Sequence, residues 1–180
     1  MAQTEIRIAG FGGQGVVLAG VLLGQAALND GRYAVQNQSY GAEARGGAAR
    51  SEIIISDEPV IYPEVVNPTA MAVMSQAGLD RYIEDLHPDG ALIVDADLVQ
   101  NIPEHFNASV RRGSFTETAD KNLGKPIVAN MIMLGFFAEA TGIVSYDALT
   151  AAVRSGVPKG TEALNLKALE SGRKMVTDQS

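Results

Sequence analysis

The sequence predicts an α/β protein with three layers, α/β/α, built around a mostly parallel or mixed sheet. Three observations carry this. Short apolar or β-branched runs at residues 6–9, 53–55, 71–74 and 91–94 alternate with stretches of helical periodicity. A glycine-rich turn joins the first run to a helix, which makes the opening unit Rossmann-like, strand–turn–helix–strand. The chain has 180 residues, 46% of them hydrophobic and 19% charged, which suits one core and argues against disorder. Residues 1–180 therefore read as a single domain.

In order, residues 6–9 form a strand that ends at Gly10. A helix follows over 16–29, where Val17, Leu18, Val21, Leu22, Gln25 and Leu28 fall near helical spacing with small residues between them. Gly31 stands where helices stop in a left-handed residue. The second strand covers 33–39, a polar glycine-rich loop 40–47, and a β-branched strand 51–55. Residues 57–68, with Pro59, Pro63 and Pro68, read as connection. A buried strand at 71–74, a helix over 76–86, a buried strand at 91–94 ending in Asp95 and Asp97, and a strand at 110–115 come next. From Asn130 the chain is helical, with Met131, Leu134, Phe137 and Ala138 on one stripe. Ser145 is an expected N-cap for a helix over 146–153, and Thr161 for a final helix to Val176. Met131, Met133, Phe136 and Phe137 read as core or subunit-interface residues. The helix over 131–137 and the final helix, with Leu164, Leu169 and Val176, are the expected apolar interface to partner subunits.

Composition excludes several functions. With 14 Lys and Arg against 21 Asp and Glu, the formal charge is -7, and no basic block offsets it. Such a chain repels nucleic acid. There is no cysteine, so disulfides, thiolate-held iron–sulfur clusters and Cys-type zinc sites are excluded. The start lacks a basic-then-apolar signal pattern, and the greasiest segment, 127–140, is broken by Asn130 and Glu139, short of the roughly 20 apolar residues of a membrane span. No membrane association and a cytoplasmic location are expected.

Gly10, Gly12 and Gly15 match G-x-G-x-x-G between a strand and a helix. Glycines there allow a tight turn and close approach of backbone N–H groups to an anion, with the helix N-terminus adding partial positive charge. The other reading is a packing turn, made richer by Gly13. A dinucleotide site needs an acidic residue at the end of the second strand, yet that strand ends Gln36-Asn37-Gln38-Ser39. The second unusual segment is Gly41-Ala42-Glu43-Ala44-Arg45-Gly46-Gly47. Arg45 offers a planar fork suited to phosphate or carboxylate, and the flanking glycines permit close approach. Its alternative is a surface ion pair with Glu43 or Glu52.

Gly10-Phe11-Gly12-Gly13-Gln14-Gly15 with Ala19, followed by Ser39-Tyr40 and the Gly41–Gly47 loop, resembles the gamma subunit or gamma domain of 2-oxoacid:ferredoxin oxidoreductases. Asn122-Leu123-Gly124, Pro126-Ile127-Val128-Ala129-Asn130-Met131 and Leu134-Gly135 are similar to that family too, so the resemblance runs through the chain. It implies a part in CoA-dependent oxidative decarboxylation to an acyl-CoA, carbon dioxide and reduced ferredoxin. It also implies thiamine diphosphate, Mg2+ and 4Fe–4S clusters in alpha, beta and ferredoxin-like delta partner subunits, and ferredoxin as electron acceptor. The chain alone is then inactive and holds no cofactor of its own. The resemblance points to Gly12, Gly13, Gln14, Gly15, Tyr40, Gly41, Arg45, Gly46 and Gly47 as contacts on the coenzyme A side, and names no catalytic acid or base here. The Gln38–Arg45 version looks most like the 2-oxoglutarate class; the branched-chain class stays open.

His87 and His105 stand in prolyl turns with no companion ligands and read as surface residues. Asp95 and Asp97 read as turn or helix-start residues before they read as cation ligands. Asn130, an amide entering an apolar helix, is expected to satisfy backbone groups, the loop before it in particular.

Overall fold

The computed structural model describes residues 3–40, 48–104, 106 and 109–178. Six strands, β1 (Thr4–Phe11), β2 (Tyr33–Tyr40), β3 (Ala48–Ser56), β4 (Ala70–Val73), β5 (Ala91–Asp95) and β6 (Ser109–Gly113), form one sheet in the order β2-β3-β1-β4-β5-β6. The pairs β1–β4, β4–β5 and β5–β6 are parallel, while β3 is antiparallel to both β1 and β2. The sheet is mixed, as expected, with one refinement. β2 runs parallel to β1 but is not its neighbour, because β3 returns from β2 and inserts between them.

Alternation along the strands sorts the side chains. Ile6, Ile8, Ile53, Ile55, Ala72 and Ile93 face a thick layer made of α1 (Val16–Asn29), α4 (Ala129–Thr141), α5 (Tyr146–Gly156) and α6 (Glu162–Thr177). Ala9, Met71, Val73, Leu92 and Val94 face a thin layer of α2 (Gln76–Tyr82) and the 3-10 turn Ile83–Asp85. On that side Arg7 is buried in β1, paired with Glu52 at 2.8 Å and with Asp85, its guanidinium 5.1 Å from the Tyr82 ring. A buried cation is tolerable only with partners of this kind.

Several sequence expectations shift in instructive ways. The expected stripe of α1 is not its core face: Ala19, Gly20, Leu23, Ala26 and Ala27 are buried with Leu22, whereas Val21 and Leu28 are 46% and 50% exposed. Small residues win that face because the helix lies close on β3, where a Cβ at Gly20 would overlap the Ser51 hydroxyl. The helix expected over 76–86 tightens to a 3-10 turn after Tyr82. β6 is Ser109–Gly113, not 110–115, because Phe115 already opens the short helix α3 (Phe115–Glu117). Ser145 caps α5, accepting from Ala148 N at 3.2 Å. Thr161 does not cap α6; its hydroxyl donates to Pro158 O at 2.7 Å.

The expected partner interface on α4 and α6 is overturned. Met131, Met133, Leu134, Phe136 and Phe137 are fully buried, Leu169 and Val176 are buried and Leu164 is half-buried. The two helices pack on each other at backbone contact. A Cβ at Gly135 would overlap Leu169 O, and one at Gly172 would overlap Ile132 O. Gly172→Ala is therefore expected to cost about 2–4 kcal/mol through overpacking or separation of the helices. Gly24→Ala, whose Cβ would rest at ordinary contact, 3.9 Å from Ala34 Cβ, should be neutral or stabilise by up to about 1 kcal/mol. Denaturant unfolding of the two variants checks this; equal midpoints would show that the crossing is not tight.

Candidate functional site

The glycine turn leaves β1 at the middle of the sheet and enters α1. Gln14 N donates to Phe11 O at 3.1 Å and closes it. The Gln14 side chain is used at both ends: Oε1 accepts from Phe11 N at 2.6 Å and Nε2 donates to Met74 O at 2.9 Å. Gln14 thus braces the turn onto the end of β4. Gly13 and Gly15 take positive φ, 96° and 74°. Asn130, buried at the start of α4, donates from Nδ2 to Gly15 O at 3.2 Å, and a Cβ at Gly15 would overlap that amide. Asn130 does satisfy backbone, as expected of a buried amide, but across the fold and not in the loop before it. Gly12 and Gly13 are exposed, so their peptides are what the turn offers outward.

Gly13 is shared by three hollows. One of about 300 Å³ lies between the turn and the α4–α6 side, lined in part by Leu18, Ile127, Asn130, Thr161 and Asn165. One of about 240 Å³ runs along Phe11, Val17 and Ala49, and one of about 270 Å³ along Gln14, Leu98, Thr116 and Ile127. Among the described residues, none of the three has a charged side chain in its wall. A larger open hollow of about 440 Å³ on α5 touches none of the expected site residues. Position at the C-terminal end of the central strands, where α/β sheets place ligands, favours the glycine-turn group over mere size.

Of the expected contacts, Gly12, Gly13, Gln14 and Gly15 stand together here. Tyr40 ends β2, its backbone opposite Ala49. Gly41, Arg45, Gly46 and Gly47 lie outside the described residues, as does His105. The dinucleotide reading weakens further, since the strand beside β1 on that side, β3, is antiparallel and presents its N-terminal end where the C-terminal carboxylate for a ribose would stand. Sequence reasoning missed two residues. Ile127, in the 3-10 turn Pro126–Val128, is 76% exposed and lines two of the hollows. Arg50 pairs with Ala9, one residue before the turn; its Nε is buried without a hydrogen-bond partner, 3.7 Å from Glu52 and with its guanidinium 5.4 Å from the Tyr82 ring. Arg50 follows the arginine loop by three residues, a hint that spacing alone left unread.

Asp95 and Asp97 are turn and helix-start residues, as expected. Asp95 is fully buried and accepts from Thr116 Oγ1 at 2.5 Å, Thr116 N at 3.2 Å and Asp97 N at 3.1 Å. Asp97 accepts from Glu117 N at 2.7 Å. Asp95 thereby sets the wall residue Thr116. Burial raises its pKa to about 6, against the lowering pull of the Thr116 and Asp97 hydrogen bonds. The folded state then holds a proton that the unfolded state releases near 3.8, so this residue's contribution declines as pH rises from about 4 to about 6 and is constant above. The stability of the wild type minus that of Asp95→Asn should fall across that window in denaturant melts at stepped pH; parallel profiles would remove Asp95 as the cause.

The pyruvate ferredoxin/flavodoxin oxidoreductase family model matches residues 5–175. The chain is 51% identical over 180 residues to the 2-oxoglutarate synthase subunit KorC of Methanothermobacter marburgensis, covering 97% of each chain. It superposes on the gamma subunit of a keto/oxoacid ferredoxin oxidoreductase from Geobacter sulfurreducens with a TM-score of 0.86 and 43% identity, over 95% of this chain and 96% of that one. The 2-oxoglutarate:ferredoxin oxidoreductase of Magnetococcus marinus, solved with 2-oxoglutarate, coenzyme A and succinyl-CoA, shares the fold at a TM-score of 0.87 and 20% identity, over 99% of this chain and 32% of that longer one. With the family model matched over residues 5–175 and 51% identity over nearly the full length of a relative, the chain belongs to the pyruvate ferredoxin/flavodoxin oxidoreductase family.

Proposed function

We propose that the chain is the gamma subunit of a 2-oxoglutarate:ferredoxin oxidoreductase and forms part of the coenzyme A side of its active site. The observation that carries this is the 51% identity to a 2-oxoglutarate synthase subunit over 97% of both chains. The chain acts as one gamma domain and is inactive alone. Alpha and beta subunits, with a ferredoxin-like delta subunit, complete the enzyme, and ferredoxin takes its electrons. Thiamine diphosphate with Mg2+ and the iron–sulfur clusters supply decarboxylation and electron transfer from those partners; a chain without cysteine has no thiolate with which to hold such a cluster. Among the described residues no helix is long and apolar enough to cross a membrane, in keeping with a cytoplasmic enzyme.

The division of labour follows from the chemistry of the walls. Among the described residues the hollows around Gly13 carry no charged side chain, so they suit the uncharged parts of coenzyme A, with the Gly12 and Gly13 peptides at their rim. Its phosphates need a cation, and Arg45, between glycines at the base of β3, is the side chain we assign to them, with Tyr40, Gly41, Gly46 and Gly47 shaping its approach. Loss of one charge-assisted contact costs roughly 1.5–3 kcal/mol, or about ten- to hundred-fold in affinity. Arg45→Ala in the assembled enzyme should therefore raise the coenzyme A KM by that factor with little change in the 2-oxoglutarate KM. Arg45→Lys should recover only part of the loss, because an ammonium lacks the planar fork. Steady-state kinetics on complexes checked for size test this; an intact complex with unchanged coenzyme A kinetics contradicts the assignment.

A further inference from the structure

The sheet has two edges, and they are built differently. β6 is five residues long and carries Arg111 and Arg112, the kind of charge that discourages a second strand from pairing. β2 is eight residues long and has no charged residue and no proline. Its inner side pairs with β3, and no backbone hydrogen bond joins its outer side to any other described segment. α1, which lies beside it, is also without a single charged residue over its fourteen positions. A helix at the surface of a protein ordinarily turns a charged face to water, and one that is apolar or neutral all round is covered. One side of α1 is covered by the sheet and α5; the other shows Val21 and Leu28 with Gln25 between them.

The uncovered side has a definite direction. Gly24 faces β2, with Ala34 Cβ 3.9 Å from where its own Cβ would be. At about 100° per residue, positions 17, 21 and 28 lie within about 60° of Gly24, all turned the same way around the helix. The apolar stripe and the open strand edge thus lie on one flank, in two adjacent layers.

We propose that this flank is the seat of a second copy of the same chain, β2 pairing antiparallel with β2 and α1 lying against α1 across the two-fold axis. An open edge takes an extended strand as its partner. Antiparallel self-pairing is isologous, and it brings the neighbouring helix of each copy onto the same side of the joined sheet, so one symmetry operation covers both uncovered features. Charge points the same way: the chain carries -7, so two copies approach at least cost where both present a neutral flank, whereas self-pairing at β6 would set arginines near arginines. A strip about 27 Å long and about 20 Å deep, one strand and one helix across, offers roughly 1,000 Å² over the two copies, the size at which specific association begins.

Because the chain has no cysteine, one introduced thiol reports cleanly. Sedimentation velocity of the full chain should show a reversible species of twice the chain mass. Gln25→Cys should form a disulfide-linked homodimer on mild oxidation, and Asp89→Cys, exposed in the turn before β5 with three strands between β5 and β2, should not. Val21→Glu with Leu28→Glu should yield a folded monomer whose unfolding midpoint no longer changes with chain concentration, whereas the wild-type midpoint should rise with it. A wild-type chain that stays monomeric up to about 100 µM overturns the proposal. So does equal oxidation-driven dimerisation of the two cysteine variants, or a Gln25→Cys chain that, in the assembled enzyme, cross-links to a different subunit.

Discussion

The close crossing of α4 and α6 is the constraint on which the rest of the fold depends. Gly135 and Gly172 let each helix touch the other's backbone, at Leu169 O and Ile132 O. This presses α4 into the centre of the thick layer, where its residues from Ala129 to Ala138 are all buried. Asn130 is thereby fixed in the first turn of α4, and its amide reaches the Gly15 carbonyl. Gly15 must then lack a side chain and take a left-handed conformation, and the turn that begins α1 is held from the α4 side. Gln14 holds it from the β4 side through Met74 O. A surface loop is in this way tied to two core elements before any ligand or partner arrives, which is the pre-organisation a binding rim requires.

Among the described residues that rim is neutral, which separates it from a phosphate cradle of the dinucleotide type. In such a cradle the glycines, the helix start and a carboxylate at the end of the neighbouring strand act together. Here β3 occupies the neighbouring place in the opposite direction, and Gln14 spends its polar atoms inward. The same insertion sets the N-terminal end of β3 beside the turn, with Ala48 opposite Phe11 and Arg50 opposite Ala9.

Much of this was legible in the residues. Period-two and period-3.6 patterns located the strands and helices, Gly31 and Ser145 marked helix ends, and the first glycine segment marked the turn between β1 and α1. What was not legible depended on partners distant in sequence. Nothing around Gly135 says that Leu169 lies against it, so α4 and α6 looked like an exposed apolar surface. Val21 and Leu28 fall on the helical stripe, yet apolar spacing cannot say which side of α1 the sheet takes; the small residues Ala19, Gly20, Ala26 and Ala27 decide it. Asn130 was recognisable as a buried amide, but its acceptor is 115 residues away. Ile127 sits in an apolar run and gives no sign that a 3-10 turn lifts it into solvent.

We propose that the glycine turn and residues 41–47 together face coenzyme A in the assembled enzyme. Hydrogen–deuterium exchange on the reconstituted complex, with and without coenzyme A, tests it most directly. Exchange should slow at residues 11–15 and 41–47 when coenzyme A is added, while α5 stays unchanged. Protection confined to the partner subunits, with both glycine-rich segments exchanging as before, would contradict it.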